Sequence, residues 1–252
     1  MTMPLFHEPE ADYHAAFAVG STTAKKALVS LQAAKDHIDK IDVPASAGFA
    51  LGRAWDETWT GAPSFVVKPE GFDGRTKEGK AWMAENAGKN ILGASEAEAL
   101  SYMIRRVPIP VAQLFVQAKR DNAFQLVGRQ GYDSGLTIQC RLDMLIGRMG
   151  YDLKTTSSPI ESFGRQALKY GYHVQAGWYL MVCEAIGFPL DGFRFIVTET
   201  ISPYRTIEFI PDSEWIAYGR AQAQLAFDRL TQAYLADVWD DQTPTTQTLT
   251  LP

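Results

Sequence analysis

The pattern of apolar and polar positions changes character near Asn122. Before it, STTAKKALVSLQAAKDHIDKI places Ala24, Leu28, Leu31 and Ala34 at helical spacing, which predicts one helix capped by Ser21 with its lysines on a solvated face. AGFALGRAWDETW predicts a second helix, PSFVVKPEGFDGRTKEGKAW a short extended piece with a basic, glycine-containing loop, and SEAEALSYMIRRVPI a helix from Ser95 stopped by Pro108 and Pro110. After Asn122, AFQLVGRQ, LTIQCRLDMLIG and YDLKTT alternate with period two between glycines and predict adjacent strands. FGRQALKYGYHVQAGWYLMVCEAI then predicts a helix, FRFIVTE and RTIEFI two more strands, and DSEWIAYGRAQAQLAFDRLTQAYL a closing helix. The chain shows no repeat and no linker. The expectation is therefore one α/β domain over residues 1–238, with a mainly helical part over about 1–120, a strand-rich core over about 121–238 and a loose Thr/Gln/Pro tail over 239–252.

Composition narrows the class. Hydrophobic residues at 46% and charged residues at 21% fit a globular protein and exclude wholesale disorder. Two cysteines, Cys140 and Cys183, are too few for an iron–sulfur cluster or a four-cysteine zinc site, and both sit in apolar runs that predict core packing. No leader pattern and no long apolar run is seen, so a cytoplasmic setting without membrane contact is the expectation. A net charge of −5 gives no global attraction to nucleic acid, so any such contact must rest on local cationic surface.

The candidate chemistry lies between Ile138 and Thr156. Residues two apart on a strand share a face, so Asp152 and Lys154 point together while Leu153 points away. A hairpin closed around Arg148 and Met149 would set Asp143 opposite Lys154, on the face of Asp152. Two carboxylates and an ammonium then converge. Such a group could hold a hard divalent cation through Asp143, Asp152 and the Leu153 carbonyl, with Lys154 orienting a water or balancing transition-state charge. Spacing alone favours a structural salt bridge between Lys154 and one aspartate, the commoner outcome for D-x-K on a strand.

The ordered set Arg141-Leu142-Asp143, Asp152-Leu153-Lys154-Thr155-Thr156 and Tyr170-Gly171-Tyr172-His173-Val174-Gln175 with Trp178-Tyr179 resembles the PD-(D/E)XK exonucleases of the RecE (exonuclease VIII) branch, kin to lambda exonuclease and the RecB nuclease domain. The likeness runs from about Gly48 to Leu235 and takes in FVVKPEGFDGRTKEGKAW and ETISPY. It implies a restriction-endonuclease-like core, a mixed central sheet flanked by helices, with Asp143, Asp152, Lys154, Gln175 and Tyr179 in the catalytic set. It further implies Mg²⁺, with Mn²⁺ able to substitute, and a homo-oligomer acting 5′ to 3′ on double-strand DNA ends for a single-strand annealing protein. Tyr172, Gln175 and Tyr179 share one helical face, for which a packed core face is the competing reading, and His173 projects elsewhere as a structural residue. Arg165 and Lys169 are the better candidates for DNA backbone contact, with Tyr172 beside them; Arg53, Arg75, Lys77 and Lys80 are weaker ones.

Two positions depart from the family. Asp56 stands where relatives often carry a helix histidine, and Gln125 where a strand glutamate is expected. Either could join the metal site through oxygen, Gln125 only through a neutral amide. An endonuclease on the same core and a catalytically silent DNA-binding subunit are the alternative functions.

Overall fold

The computed structural model describes residues 4–41, 50–60 and 65–240, so the start of the expected second helix and nearly all of the expected tail lie outside the described residues. The first half carries β1 (Phe6–His7), α1 (Glu10–Ala15), α2 (Ser21–Val29), α3 (Leu31–Ile38), α4 (Ala50–Thr60), β2 (Val66–Val67), α5 (Lys77–Glu85), β3 (Ile91–Leu92), α6 (Ala94–Arg105) and α7 (Ile109–Arg120). The second carries β4 (Phe124–Gly131), β5 (Thr137–Ile146), β6 (Met149–Thr156), α8 (Phe163–Lys169), α9 (Tyr172–Ala185), β7 (Gly192–Glu199), β8 (Thr206–Phe209) and α10 (Ser213–Ala236).

Local chemistry divides several expected elements. The helix predicted from Ser21 starts after Gly20 and breaks at Ser30, whose extended backbone ends α2 while its Oγ accepts the Ala33 N–H at 3.0 Å and caps α3. The helix predicted from Phe163 breaks at Gly171, which takes a left-handed φ of 67° that a side chain would resist. Pro108 and Pro110 end α6 as expected but also open α7, where a missing N–H in the first turn leaves no bond unmade. Half of the basic loop is helical, because the Thr76 Oγ accepts from Gly79 N and caps α5.

A six-stranded mixed sheet, ordered β1-β4-β5-β6-β7-β8 and flanked by helices, forms the centre; among the described residues its one parallel strand pair is β6–β7, while β2 and β3 make a separate parallel pair. α9 is almost wholly buried, with Val174, Ala176, Trp178, Leu180 and Val182 in the core, and it packs on β4, β5 and β7. Cys140 and Cys183 meet there, both fully buried, with sulfurs 3.9 Å apart. α10 crosses α9 at a pair of glycines: a Cβ on Gly177 would lie 2.2 Å from the Gly219 carbonyl oxygen. A second cluster holds Trp55 and Trp59 of α4 against Phe115 of α7, the Trp59 and Phe115 rings stacked at 4.1 Å.

β5 and β6 pair only at Met144–Tyr151, Leu145–Gly150 and Ile146–Met149. The turn is therefore Gly147–Arg148, not Arg148–Met149, with Gly147 supplying the positive φ of 61° that a tight hairpin requires. This register brings Asp143 level with Asp152 rather than Lys154. A two-residue shift preserves side-chain parity, so the expected face survives the corrected register. Beyond Met144 and Tyr151 the strands part, and the released backbone groups find other partners. Val19 N donates to the Thr137 carbonyl, Gln139 N to the Val19 carbonyl, and Trp178 Nε1 to the Gln139 carbonyl at 3.0 Å.

At the far end of β7, Glu199 is buried and ties three segments together. Its carboxylate accepts from Ile160 N at 3.0 Å, Arg205 N at 3.1 Å and Arg205 Nη2 at 2.7 Å. The Arg205 guanidinium holds its pKa down at about 2. A carboxylate with a depressed native pKa contributes stability that is complete above its unfolded value near 4.3 and is lost as pH falls toward the native one. Glu199→Gln is expected to remove about 2–3 kcal/mol at pH 7, after discounting for the partly exposed arginine, and to flatten the fall in stability between pH 4.5 and 2. Urea titrations of both proteins across that window check it; parallel curves would show that Glu199 is not the group responsible.

Candidate active site

The opening between β5 and β6 is where the candidate residues meet. Asp143 Oδ2 accepts the Leu153 N–H at 2.7 Å, so a side chain stands in for the missing ladder bond. Across the opening Asp152 is 1% exposed, ion-paired with Lys154 and hydrogen-bonded at Oδ1 by Gln175 Nε2 at 2.7 Å. Gln175 Nε2 also lies 3.4 Å from the Tyr179 hydroxyl, one helical turn on. Lys154 Nζ stands 4.9 Å from the centre of the Tyr172 ring. Lys154 thus makes the salt bridge that spacing allowed, but it makes it beside a second carboxylate and on the wall of a cavity of about 420 Å³. Asp143, Lys154, Tyr172, Gln175 and Tyr179 all line that cavity. Tyr172 faces this space and is half-buried, while His173 packs away from it, stacked on Tyr218.

A second cavity opens on the other side of Asp143, lined also by Asp56, Gln125, Leu153, Glu10 and Arg53. α4 reaches it because Gly52 packs against Thr155, where a Cβ would meet the threonine Oγ1 at 3.1 Å. One turn further on, Asp56 comes beside Asp143. Gln125 adopts a left-handed φ of 53°, rare within a strand for a residue with a side chain, and its Oε1 accepts from Arg141 Nη2 at 2.7 Å. Its amide oxygen is therefore engaged by an arginine.

Electrostatics sets this pocket apart from a neutral core. Burial, reinforced by the Asp152 charge, raises the Asp143 carboxyl to about 7. Burial and the Asp143 charge push Asp56 well above the ordinary carboxylate range. Burial would lower Lys154, but the charges of Asp152 and Asp143 outweigh it and hold the ammonium above its usual value. Three mutually repelling carboxylates with one lysine form a hard-oxygen donor set whose repulsion a divalent cation would relieve. The residues fit such an ion in chemistry, although among the described residues no three metal-ligating side chains stand close enough to make a finished shell.

Arg165 and Lys169 are exposed on α8 and line neither cavity. Arg75 is bonded to Asp73 instead. Two residues of this site escaped the sequence pattern. Glu10 lies in an N-terminal stretch without periodicity, 3.7 Å from Arg141. Lys25, read as solvated, is half-buried against the first cavity; its place four residues before Val29 and one after Ala24 gave no sign of this.

No protein-family model matches the sequence, and no curated protein matches it in sequence. Among solved structures the chain is similar to one from Eubacterium rectale described as a "putative exonuclease", with a TM-score of 0.63 at 10% identity over 98% of this chain and 96% of that one. At that identity the likeness establishes a shared fold alone, which in this chain is a six-stranded mixed sheet flanked by helices.

Proposed function

We propose that this chain is a divalent-metal-dependent DNA nuclease of the PD-(D/E)XK kind, working inward from duplex ends, 5′ to 3′, to leave single-strand DNA for an annealing protein. One observation carries the reading: Asp143 and the Asp152–Lys154 pair meet where β5 and β6 part, with Gln175 bonded to Asp152. The RecE-like motif order and the fold shared with the E. rectale protein support it. Asp143, Asp152, Asp56 and the Leu153 carbonyl would hold Mg²⁺ or Mn²⁺. When bound, the ion lowers the pKa of water and neutralises phosphoryl charge. Lys154 then orients the attacking water and balances the charge that develops on the phosphoryl oxygens. Gln175 fixes the Asp152 carboxylate, Tyr179 backs Gln175, and the Tyr172 ring holds Lys154 in place.

End-labelled linear and closed circular duplex DNA, incubated with Mg²⁺, Mn²⁺ or EDTA, tests the reading. Metal-dependent loss of linear DNA alone is the expected result. Cutting of the circle would replace it with an endonuclease, and binding without cutting would replace it with a silent DNA-binding subunit.

A further inference from the structure

We infer that Lys25 is a second substrate-binding cation of this site, contacting a phosphate of the DNA strand next to the one that is cleaved. The inference rests on the nuclease reading. Lys25 comes from α2, more than a hundred residues before the motif segment, yet it lines the same cavity as Asp143, Lys154, Tyr172 and Gln175.

Its placement is specified from both sides. Nζ lies 3.4 Å from the Tyr170 carbonyl and 5.9 Å from the centre of the Tyr172 ring. Between those tyrosines, a Cβ on Gly171 would fall 2.7 Å from Lys25 Cδ and 3.2 Å from Cγ. The bare glycine of the Tyr170-Gly171-Tyr172 turn therefore leaves the space through which the lysine stem passes. A side chain there would push the stem out of the cavity.

Among the described residues its charge has no ion-pair partner, and the Asp152 carboxylate that acts on it from a distance is already engaged by Lys154. A half-buried ammonium facing another ammonium is unfavourable unless an anion joins it. Burial and then the Lys154 charge draw the Lys25 pKa down to about 8, which still leaves it mostly protonated at neutral pH. An oxyanion entering this cavity meets two cations on one wall, and in a nuclease the oxyanion that recurs at the spacing of neighbouring sites is the strand phosphate. Lys154 faces the reacting phosphate, and Lys25 takes the next.

The test couples a protein change to a substrate change. Lys25→Met keeps the apolar stem and removes the charge; Lys25→Ala removes both. Duplexes carrying a single neutral methylphosphonate at successive positions near the cut, and duplexes with 5′-phosphate or 5′-hydroxyl ends, serve as substrates. Each variant is expected to raise KM roughly tenfold with kcat changed far less, and to melt no lower than the parent, since an unpaired charge has gone. One substrate phosphate, internal or terminal, should matter roughly tenfold to the parent and hardly at all to either variant. If every neutralised phosphate and the end phosphate weigh as much in both variants as in the parent, Lys25 contacts none of them and the inference fails. A melting temperature lowered in both variants, with KM unchanged, would make Lys25 a structural residue. A parent protein that cuts no DNA with any metal overturns the nuclease reading itself, a result distinct from an active parent with uncoupled variants.

Discussion

Asp152→Asn is expected to lower DNA cleavage by at least about a thousandfold while remaining folded, because the Asp143 carboxylate still faces the Lys154 ammonium. The amide keeps the shape and can still accept from Gln175, but the negative oxygen that faces Lys154 is gone. Lys154→Ala should be as inactive for another reason and should also be about 3 kcal/mol less stable, because it leaves a carboxylate that is 1% exposed without its cation. The double variant Asp152→Asn with Lys154→Met should recover most of that stability and none of the activity. Cleavage of end-labelled duplex alongside urea unfolding separates the two effects. If any of the three variants keeps near-parental turnover at saturating Mg²⁺, the pair is a structural salt bridge and the catalytic assignment is wrong.

Gly177→Ala should be strongly destabilising. Its Cβ would sit 2.2 Å from the Gly219 oxygen, 2.3 Å from the Gly219 carbonyl carbon and 2.6 Å from Arg220 N. All three are backbone atoms, so no side chain can swing aside and the helices must separate. A loss of about 3 kcal/mol or more, or roughly 6–12 °C in melting temperature, is expected. Gly164→Ala is the control: it lies in α8 with nothing within 4 Å of the added carbon, and should be neutral or slightly stabilising. Equal melting temperatures for the two variants would mean that α9 and α10 do not cross this closely in solution.

The strand half of the chain was legible because alternation over β4, β5, β6, β7 and β8 is strong and glycines mark the turns. The face shared by Asp143, Asp152 and Lys154 could be read from parity alone, which survives a register error of two. The register itself could not, since it depends on whether Gly147 flanks the turn or enters it, and in the structure it enters with a positive φ. Ser30 and Gly171 show a different limit: each interrupts an unbroken apolar period, and the capping bond or left-handed turn that does so leaves the period untouched. Glu10, Lys25 and Asp56 reach the site from separate helices, and their approach depends on tertiary packing such as Gly52 against Thr155. Asp56 was found through resemblance; Glu10 and Lys25 carried no local signal.

The early parting of β5 from β6 has a mechanical meaning. The sheet is two three-stranded plates, β1-β4-β5 and β6-β7-β8, hinged at one edge by three residue pairs and strapped by α9, which touches both. Asp143 rides on one plate, Asp152 and Lys154 on the other, so the distance between the carboxylates is the gape of the hinge. The Leu153 amide, bonded across the gap to Asp143, is a built-in gauge of that gape. On the proposed function, a cation shared by the two carboxylates would hold the plates at a fixed gape, so this amide's hydrogen exchange should slow on adding Mg²⁺ and quicken when the strap is loosened, making one amide proton a readout of how the whole sheet sets the spacing of its chemistry.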